Sequence, residues 1–197
     1  MTKTIDFYFD FGSPAAYLAH TQLPKISAET GAQIAYKPML LGGVFQATGN
    51  RPPIVVVPKG SYVFTDFLRF AKRYGVPLVR NANFPIITTT LMRGAVALQM
   101  KNDPRFADYM DMVYKAIWID DENMNDPAVV GAVLTRNGFD AAALMAMTQE
   151  QAVKDELKKL TEAAVARGIF GAPTMFVGDE MFWGQDRLDF VREALLA

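Results

Sequence analysis

The segment that most constrains the fold is residues 5–14, where a strand pattern runs directly into a helix start. Apolar side chains occupy every second position: Ile5, Phe7, Phe9 and Phe11. Between them, Asp6, Tyr8 and Asp10 form the opposite, more polar face. This period of two predicts a β-strand over residues 5–11. Gly12 permits a sharp turn, Ser13 is a favoured N-cap residue and Pro14 is favoured at the first helical position. A helix is therefore predicted to begin at Ser13.

The next forty residues complete a supersecondary unit. The first helix is predicted to end at Gly31, which suits a left-handed C-terminal residue. Residues 33–37 read as a second strand, which Pro38 closes. A strand, a helix and a strand of this length form a βαβ unit, and the rules of connection make its strands parallel and its crossover right-handed.

The middle of the chain divides into a loop-rich part and a helical part. Repeated Pro and Gly over residues 39–60 argue against one long helix, and residues 54–57 fit either a short strand or an extended loop. Helical patterns then predict six helices, at 62–74, at 88–100, at 104–117, from Asp126-Pro127 to Gly138, after Asp140, and from a capping box of Thr148 and Gln151 to Gly168.

The end of the chain returns to strands. The apolar run 174–177, the turn Gly178-Asp179 and the run 180–183 predict a β-hairpin. A last helix begins at Gln185 or Asp186. Phe182 and Trp183 are assigned to the core rather than to a pocket wall. The order βαβ, helical insertion, αββα predicts a four-stranded mixed sheet of the α/β class, interrupted after its second strand.

Composition excludes several function classes. The chain has 197 residues, 51% of them hydrophobic, and a net charge of −1, which gives no reason to expect nucleic acid or an anionic membrane as a partner. With no cysteine, disulfides and thiolate metal sites are excluded, and the single histidine, His20, argues against a histidine metal cluster. No signal-peptide or membrane-spanning pattern is present in the sequence, so a cytoplasmic protein is expected.

Two motifs give the chain a resemblance to the thioredoxin fold. Gly171-Ala172-Pro173-Thr174 stands before the third strand, where that superfamily places a cis proline. Ser13-Pro14-Ala15-Ala16 stands where many members carry Cys-x-x-Cys. The large helical insertion resembles the DsbA-like branch. The resemblance implies a thioredoxin-like domain from residues 1–60 and 168–197, with the helix 148–167, and an inserted all-helical domain from 61–147.

Within that branch the chain resembles the 2-hydroxychromene-2-carboxylate isomerases, which are related to kappa-class glutathione transferases. The matching segments are 6–14, 37–45, 48–50, Lys59 with Tyr62, 73–77, 168–174 and 182–188. The resemblance implies glutathione as cofactor, a small aromatic 2-oxo acid as substrate and a homodimer. It also implies interconversion of 2-hydroxychromene-2-carboxylate and trans-o-hydroxybenzylidenepyruvate by thiolate addition, bond rotation and elimination.

By the same resemblance, Ser13 is the catalytic residue and hydrogen-bonds the glutathione sulfur. The implied glutathione-binding residues are Ser13, Pro14, Asn50, Lys59, Ala172, Pro173, Gln185 and Asp186. Asn50 and Lys59 lie where the family approaches either glutathione or the substrate acid. Each has a plainer interpretation. Ser13 alone is an ordinary N-cap, Asn50 and Lys59 alone are solvated loop residues, and Gln185 and Asp186 alone are caps of the last helix.

Two other functions remain open at the level of sequence. A transferase that conjugates glutathione to electrophiles, as in the kappa class, would use the same thiolate. A non-catalytic module that binds thiols or peptides would use the same scaffold without turnover.

Overall fold

The computed structural model describes residues 3–197. Its strands are β1 (Thr4–Phe9), β2 (Gln33–Pro38), β3 (Thr174–Val177) and β4 (Glu180–Trp183). Its helices are α1 (Pro14–Thr30), α2 (Leu41–Thr48), α3 (Val57–Tyr74), α4 (Thr89–Met100), α5 (Phe106–Trp118), α6 (Pro127–Arg136), α7 (Ala141–Met147), α8 (Gln151–Ala166) and α9 (Leu188–Leu196). Short 3₁₀ helices span Pro53–Val55 and Gln185–Arg187.

The four strands form one mixed sheet in the order β2-β1-β3-β4. β1 and β2 are parallel, with Phe7 opposite Tyr36, which confirms the predicted βαβ unit. β3 runs antiparallel to both β1 and β4, and the turn at Gly178 closes the predicted hairpin. Helices α3 to α8 lie between β2 and β3 in the chain, so the predicted helical insertion and the α/β thioredoxin-like order are confirmed.

Apolar residues cover both faces of the sheet. Ile5, Phe7 and Phe9 are fully buried in a large cluster that also contains side chains of α1, α4 and α5. A smaller cluster on the opposite face joins Phe176 to Met39 and other residues. The sheet is therefore sandwiched, and its large core is shared with the insertion. The division into a thioredoxin-like and an inserted domain stays a prediction.

Residues 39–60 are more helical than predicted. α2 lies inside this part of the chain, and the two structures proposed for residues 54–57 are both wrong: the backbone forms a 3₁₀ turn and then the start of α3. Gly60 explains the close packing, because a Cβ there would come within 2.8 Å of the Ile54 Cα. The turn and the helix thus depend on a tertiary contact that local propensity does not show.

The predicted capping box before α8 is also wrong. The Thr148 hydroxyl donates backwards to the Met145 carbonyl at 2.7 Å, at the end of α7. α8 begins after Glu150, which makes no side-chain cap hydrogen bond. Ser and Thr hydroxyls compete for carbonyls of the preceding turn in this way.

In the part of the chain that is described, no helix combines the length and the apolar character needed to cross a membrane.

Candidate active site

Ser13 lies at the N-terminus of α1, as predicted. Its Oγ accepts a hydrogen bond from the Ala16 N–H at 3.1 Å and so caps the helix. The same hydroxyl donates to the Ala172 carbonyl at 3.0 Å, although the two residues are 159 positions apart. The 17-residue helix directs the positive end of its dipole at this point. Ser13 is therefore both a cap and a bridge between the β1–α1 turn and the segment that precedes β3.

Asp10, which the strand pattern placed on a polar face, is 3% exposed beneath this turn. Its Oδ1 accepts from the Gly12 N–H at 2.9 Å and from the Thr88 hydroxyl at 2.6 Å. Its Oδ2 accepts from the Leu41 N–H at 2.8 Å, so it caps α2 across the fold. Burial raises the pKa of the Asp10 carboxyl above its ordinary value, against the opposing effect of these three donors.

A pocket of about 430 Å³ opens in front of Ser13. Its lining comes from the β1–α1 turn, α2, the segment before α3, α3, the α3–α4 loop, the end of α5, and the residues around β3 and β4. The thioredoxin-like part and the insertion both contribute to it. Such a pocket at a junction is the usual place for a small-molecule site.

Seven of the eight residues predicted for the site line this one pocket. They are Ser13, Pro14, Asn50, Lys59, Ala172, Gln185 and Asp186. The eighth, Pro173, is buried behind the lining and follows Ala172 through a cis peptide bond, which was expected from the thioredoxin resemblance. The structure therefore brings together positions separated by more than a hundred residues in the chain.

Several of these residues are held by long-range hydrogen bonds. The Asn50 side-chain amide donates to the Phe170 carbonyl at 2.8 Å. Gln185 is 4% exposed, and the Tyr74 hydroxyl lies 2.9 Å from both its backbone oxygen and its Oε1. Burial raises the pKa of Tyr74 to about 12, so this hydroxyl remains a donor at neutral pH. Asp186 is paired with Arg187. The Asn50 and Gln185 side chains thus have hydrogen-bond partners within the fold. Their roles toward a ligand stay a prediction.

The assignment of Trp183 to the core is wrong, whereas that of Phe182 is confirmed. Trp183 is 49% exposed and lines the pocket, while Phe182 is buried. The indole lies directly over Gly171, where an added Cβ would come within 2.6 Å of its Nε1. Glycine is therefore needed for this close approach of ring and backbone.

Sequence reasoning missed the side of the pocket that the insertion supplies. We call Phe64, Phe67, Phe84 and Trp118 the aromatic wall; all four line the pocket. Phe64 contacts Phe67 edge to face, with ring centroids 6.4 Å apart, and Phe84 packs on Trp118 at 5.9 Å. Arg80 and Arg51 also line the pocket. Phe67 lies within the predicted helix 62–74, but helical periodicity cannot distinguish a core face from a pocket face.

The fold and this site define a DsbA-like member of the thioredoxin superfamily. The family model for the DSBA-like thioredoxin domain matches residues 4–196. The chain is 38% identical over 201 residues to 2-hydroxychromene-2-carboxylate isomerase from Sphingobium xenophagum, with 100% of both chains covered. A solved structure of 2-hydroxychromene-2-carboxylate isomerase superposes with a TM-score of 0.85 at 32% identity, covering 98% of this chain and 94% of that one.

A more distant similarity reaches the kappa class. Human glutathione S-transferase kappa 1 is 22% identical over 207 residues, which cover 99% of this chain and 92% of the transferase. The chain thus belongs to the 2-hydroxychromene-2-carboxylate isomerases of the DSBA-like thioredoxin domain family. The predictions of this family and of an enzyme are confirmed.

Proposed function

We propose that this enzyme interconverts 2-hydroxychromene-2-carboxylate and trans-o-hydroxybenzylidenepyruvate, with glutathione as a cofactor that is not consumed. Full-length isomerase relatives support the reaction. The observation that carries the role of glutathione is Ser13, whose hydroxyl lies at the N-terminus of α1 and lines a pocket of a chain with no cysteine.

The polar groups of the pocket suit glutathione, an extended tripeptide with two carboxylates and one ammonium group. The backbone N–H of Ala172 donates no hydrogen bond within residues 3–197, so it can pair with an extended peptide as an added strand would. Asp186 offers a carboxylate to an ammonium group, and Lys59 offers an ammonium to a carboxylate. Asn50, Pro14, Gln185 and the Ala172–Pro173 peptide would complete this side of the site.

Bound glutathione would supply a thiolate to the ring-opened form of the substrate, in which the hemiketal C–O bond has broken and the hemiketal hydroxyl proton has passed to the phenol oxygen. The thiolate would add to the double bond conjugated with the ketone, whose oxygen takes the displaced electron pair; after rotation about the single bond, return of that pair would expel the thiolate unchanged. A free thiol has a pKa near 8.5, and the N-terminus of a helix such as α1 favours its anion. The Ser13 hydroxyl can donate one hydrogen bond to that anion, worth about 1.5–3 kcal/mol. Since it has one hydrogen, donating to sulfur requires that Ser13 release the Ala172 carbonyl.

The aromatic wall fits the ring of the proposed substrate. Phe64, Phe67 and Phe84 are partly exposed and offer faces and edges on which an aromatic ring can stack, at roughly 0.5–1.5 kcal/mol a contact beyond area burial. Trp118 is fully buried and packs against Phe84. These side chains also exclude water from one side of the pocket. The insertion would therefore bind the substrate ring, while the thioredoxin-like part binds glutathione.

Incubation of the enzyme with 2-hydroxychromene-2-carboxylate and a small, fixed amount of glutathione tests the proposal. We expect many turnovers with no loss of free thiol, followed by the absorbance of the ring-opened product and by thiol titration. S-methylglutathione is the matched control, since it keeps the peptide and lacks the thiol. Turnover that is equally fast without glutathione would refute the role of the cofactor.

The kappa-class similarity makes a transferase the second candidate. In that case a reactive aryl halide would consume glutathione in equal amounts, and the chromene would not be isomerised. A non-catalytic module would bind glutathione and turn over neither compound. All three functions require glutathione to bind, so each predicts that glutathione raises the unfolding temperature. A ligand at a hundred times its Kd stabilises the folded state by about 2.7 kcal/mol. Absence of any shift at millimolar glutathione would contradict them together.

A homodimer and a cytoplasmic location remain predictions. Light scattering on the eluting protein tests the first: we expect twice the chain mass of 21.8 kDa. Fractionation of cells that produce the protein tests the second.

A further inference from the structure

Arg80 stands beside the aromatic wall, on a rigid part of the loop between α3 and α4. The preceding residue, Val79, donates its N–H to the Trp118 carbonyl at 2.8 Å. The following residue, Asn81, is 3% exposed and donates its amide to the Ile117 carbonyl at 2.9 Å and to the Glu122 carbonyl at 3.0 Å. The backbone on both sides of Arg80 is thus fastened to the end of α5, and the side chain is presented from a fixed base.

The guanidinium of Arg80 has a hydrophobic neighbour and no anionic one. Its Cζ lies 5.6 Å from the centroid of the Phe64 ring, in a cation–π contact. Within residues 3–197, no carboxylate lies within 4.0 Å of its nitrogen atoms. Arg80 therefore keeps its five N–H donors available to a ligand while its side chain rests on the aromatic wall.

The charge of the whole pocket favours an anion. Four cationic side chains of the described chain line it, Arg51, Lys59, Arg80 and Arg187, together with one carboxylate, Asp186. Arg187 is already paired with Asp186. Lys59 is assigned to glutathione in the proposed function, and Arg51 follows directly after Asn50, which is assigned to glutathione as well. Arg80 is the remaining cation, and it is the one that packs against the aromatic wall.

We propose that Arg80 binds the carboxylate of the aromatic substrate and selects acidic aromatic compounds over neutral ones. The ring would stack on the aromatic wall while the planar guanidinium pairs with the two carboxylate oxygens, a geometry for which arginine is well suited. This inference deepens the proposed function and rests on it for the identity of the substrate. The part of the inference that concerns binding of an aromatic acid does not depend on the proposed function.

Binding of cinnamate and of its neutral counterpart cinnamamide, measured by calorimetry without glutathione, tests the inference directly. We expect the unmodified enzyme to bind cinnamate about 10- to 100-fold more tightly than the amide, as one bidentate ion pair allows. Arg80→Met keeps the apolar packing on Phe64 and should remove that preference by weakening cinnamate alone. Arg80→Lys keeps the positive charge but cannot pair with both carboxylate oxygens as the planar guanidinium does. It should therefore retain part of the preference for cinnamate.

Arg73→Met is the matched control. Arg73 makes a similar contact, 5.1 Å above the Phe70 ring, and does not line the pocket. Its loss should leave both affinities unchanged. An unaltered preference for cinnamate in Arg80→Met would overturn the inference, as would an equal weakening of cinnamate and cinnamamide.

Turnover provides the second measurement. In Arg80→Met the KM for 2-hydroxychromene-2-carboxylate should rise about 10- to 100-fold, while kcat and the thermal shift with glutathione stay close to those of the unmodified enzyme. If the unmodified enzyme fails to isomerise the chromene, the proposed function is refuted, and the cinnamate measurements still decide the role of Arg80.

Discussion

Ser13 Oγ and the carbonyl oxygen of Ala172 lie 3.0 Å apart, joined by a hydrogen bond between the first turn of α1 and the residue pair that precedes β3. The bond closes the polar side of the pocket. It also occupies the one hydrogen that Ser13 would donate to a sulfur. The resting enzyme therefore satisfies the Ser13 hydroxyl internally, and a bound thiolate must compete with the Ala172 carbonyl for it.

Replacement of Ser13 by alanine should reduce kcat about 10- to 100-fold, because it removes the charge-assisted hydrogen bond of about 1.5–3 kcal/mol that is proposed between Ser13 and the thiolate. Loss of the cap should also lower the free energy of unfolding by about 1 kcal/mol. Steady-state kinetics and urea denaturation measure the two effects. Asp126→Ala removes a similar cap, whose carboxylate accepts from the Ala128 N–H at 2.8 Å, far from the pocket. It should lose stability without losing activity; equal activity in Ser13→Ala would show that Ser13 is only a cap.

Thr88→Val should lower the free energy of unfolding by about 1–3 kcal/mol, since it leaves the buried Asp10 carboxylate with one donor fewer. Thr135→Val is the matched control. The Thr135 hydroxyl is exposed and bonds only the Gly131 carbonyl of its own helix, so its loss should cost less than about 0.5 kcal/mol. Equal costs for the two variants, measured by chemical denaturation, would contradict the role assigned to Asp10.

The raised pKa of Asp10 predicts a particular dependence of stability on pH. Between the ordinary value of 3.8 and the higher pKa of the folded state, the folded chain holds a proton that the unfolded chain has released. The free energy of unfolding should therefore fall as the pH rises through this window, by at most about 1.4 kcal/mol per pH unit. Asp10→Asn lacks this titration. We compare the free energy of unfolding of the unmodified enzyme with that of Asp10→Asn. The value for the unmodified enzyme relative to the variant should decrease as the pH rises above the ordinary value of 3.8, and an increase would contradict the raised pKa of Asp10.

Two helical glycines should respond in opposite ways to alanine. A Cβ on Gly94 would collide with the hydroxyl of Tyr109, which is held by its bond to the Leu91 carbonyl at 2.8 Å. Gly94→Ala should destabilise the fold by about 1–3 kcal/mol. Gly131 in α6 has no atom within 4 Å of an added Cβ, so Gly131→Ala should stabilise by about 0.5–1 kcal/mol. Thermal or urea denaturation of both variants checks the pair.

Local signals accounted for much of the fold. Alternation in β1, the Gly12-Ser13-Pro14 helix start and the hairpin at Gly178 each depend on residues close together in the chain, and all three are confirmed. Seven of the eight predicted site residues line one pocket. They could be named from the sequence because the segments that carry the family resemblance run from residues 6–14 to residues 182–188. Their roles toward glutathione remain a proposal.

The features that sequence reasoning missed depend on distant contacts. Alternation placed Asp10 on a polar face, yet α2 and the start of α4 cover it. α2 itself is capped from another part of the chain, so nothing local marked its beginning. Arg80 and Trp118 are 38 positions apart in the chain and line the same pocket because Val79, next to Arg80, is hydrogen-bonded to the Trp118 carbonyl.

The hydrogen bonds of the Asp10 carboxylate affect the order in which the pocket forms during folding. These bonds join segments 31 and 78 positions away in sequence. Contacts of such long range form after local ones, because the entropy of closing the loops must be met first. The turn that carries Ser13 thus reaches its final shape only when both the first βαβ unit and the insertion have assembled around it. A newly made chain therefore presents the pocket in front of Ser13 only after both parts have folded.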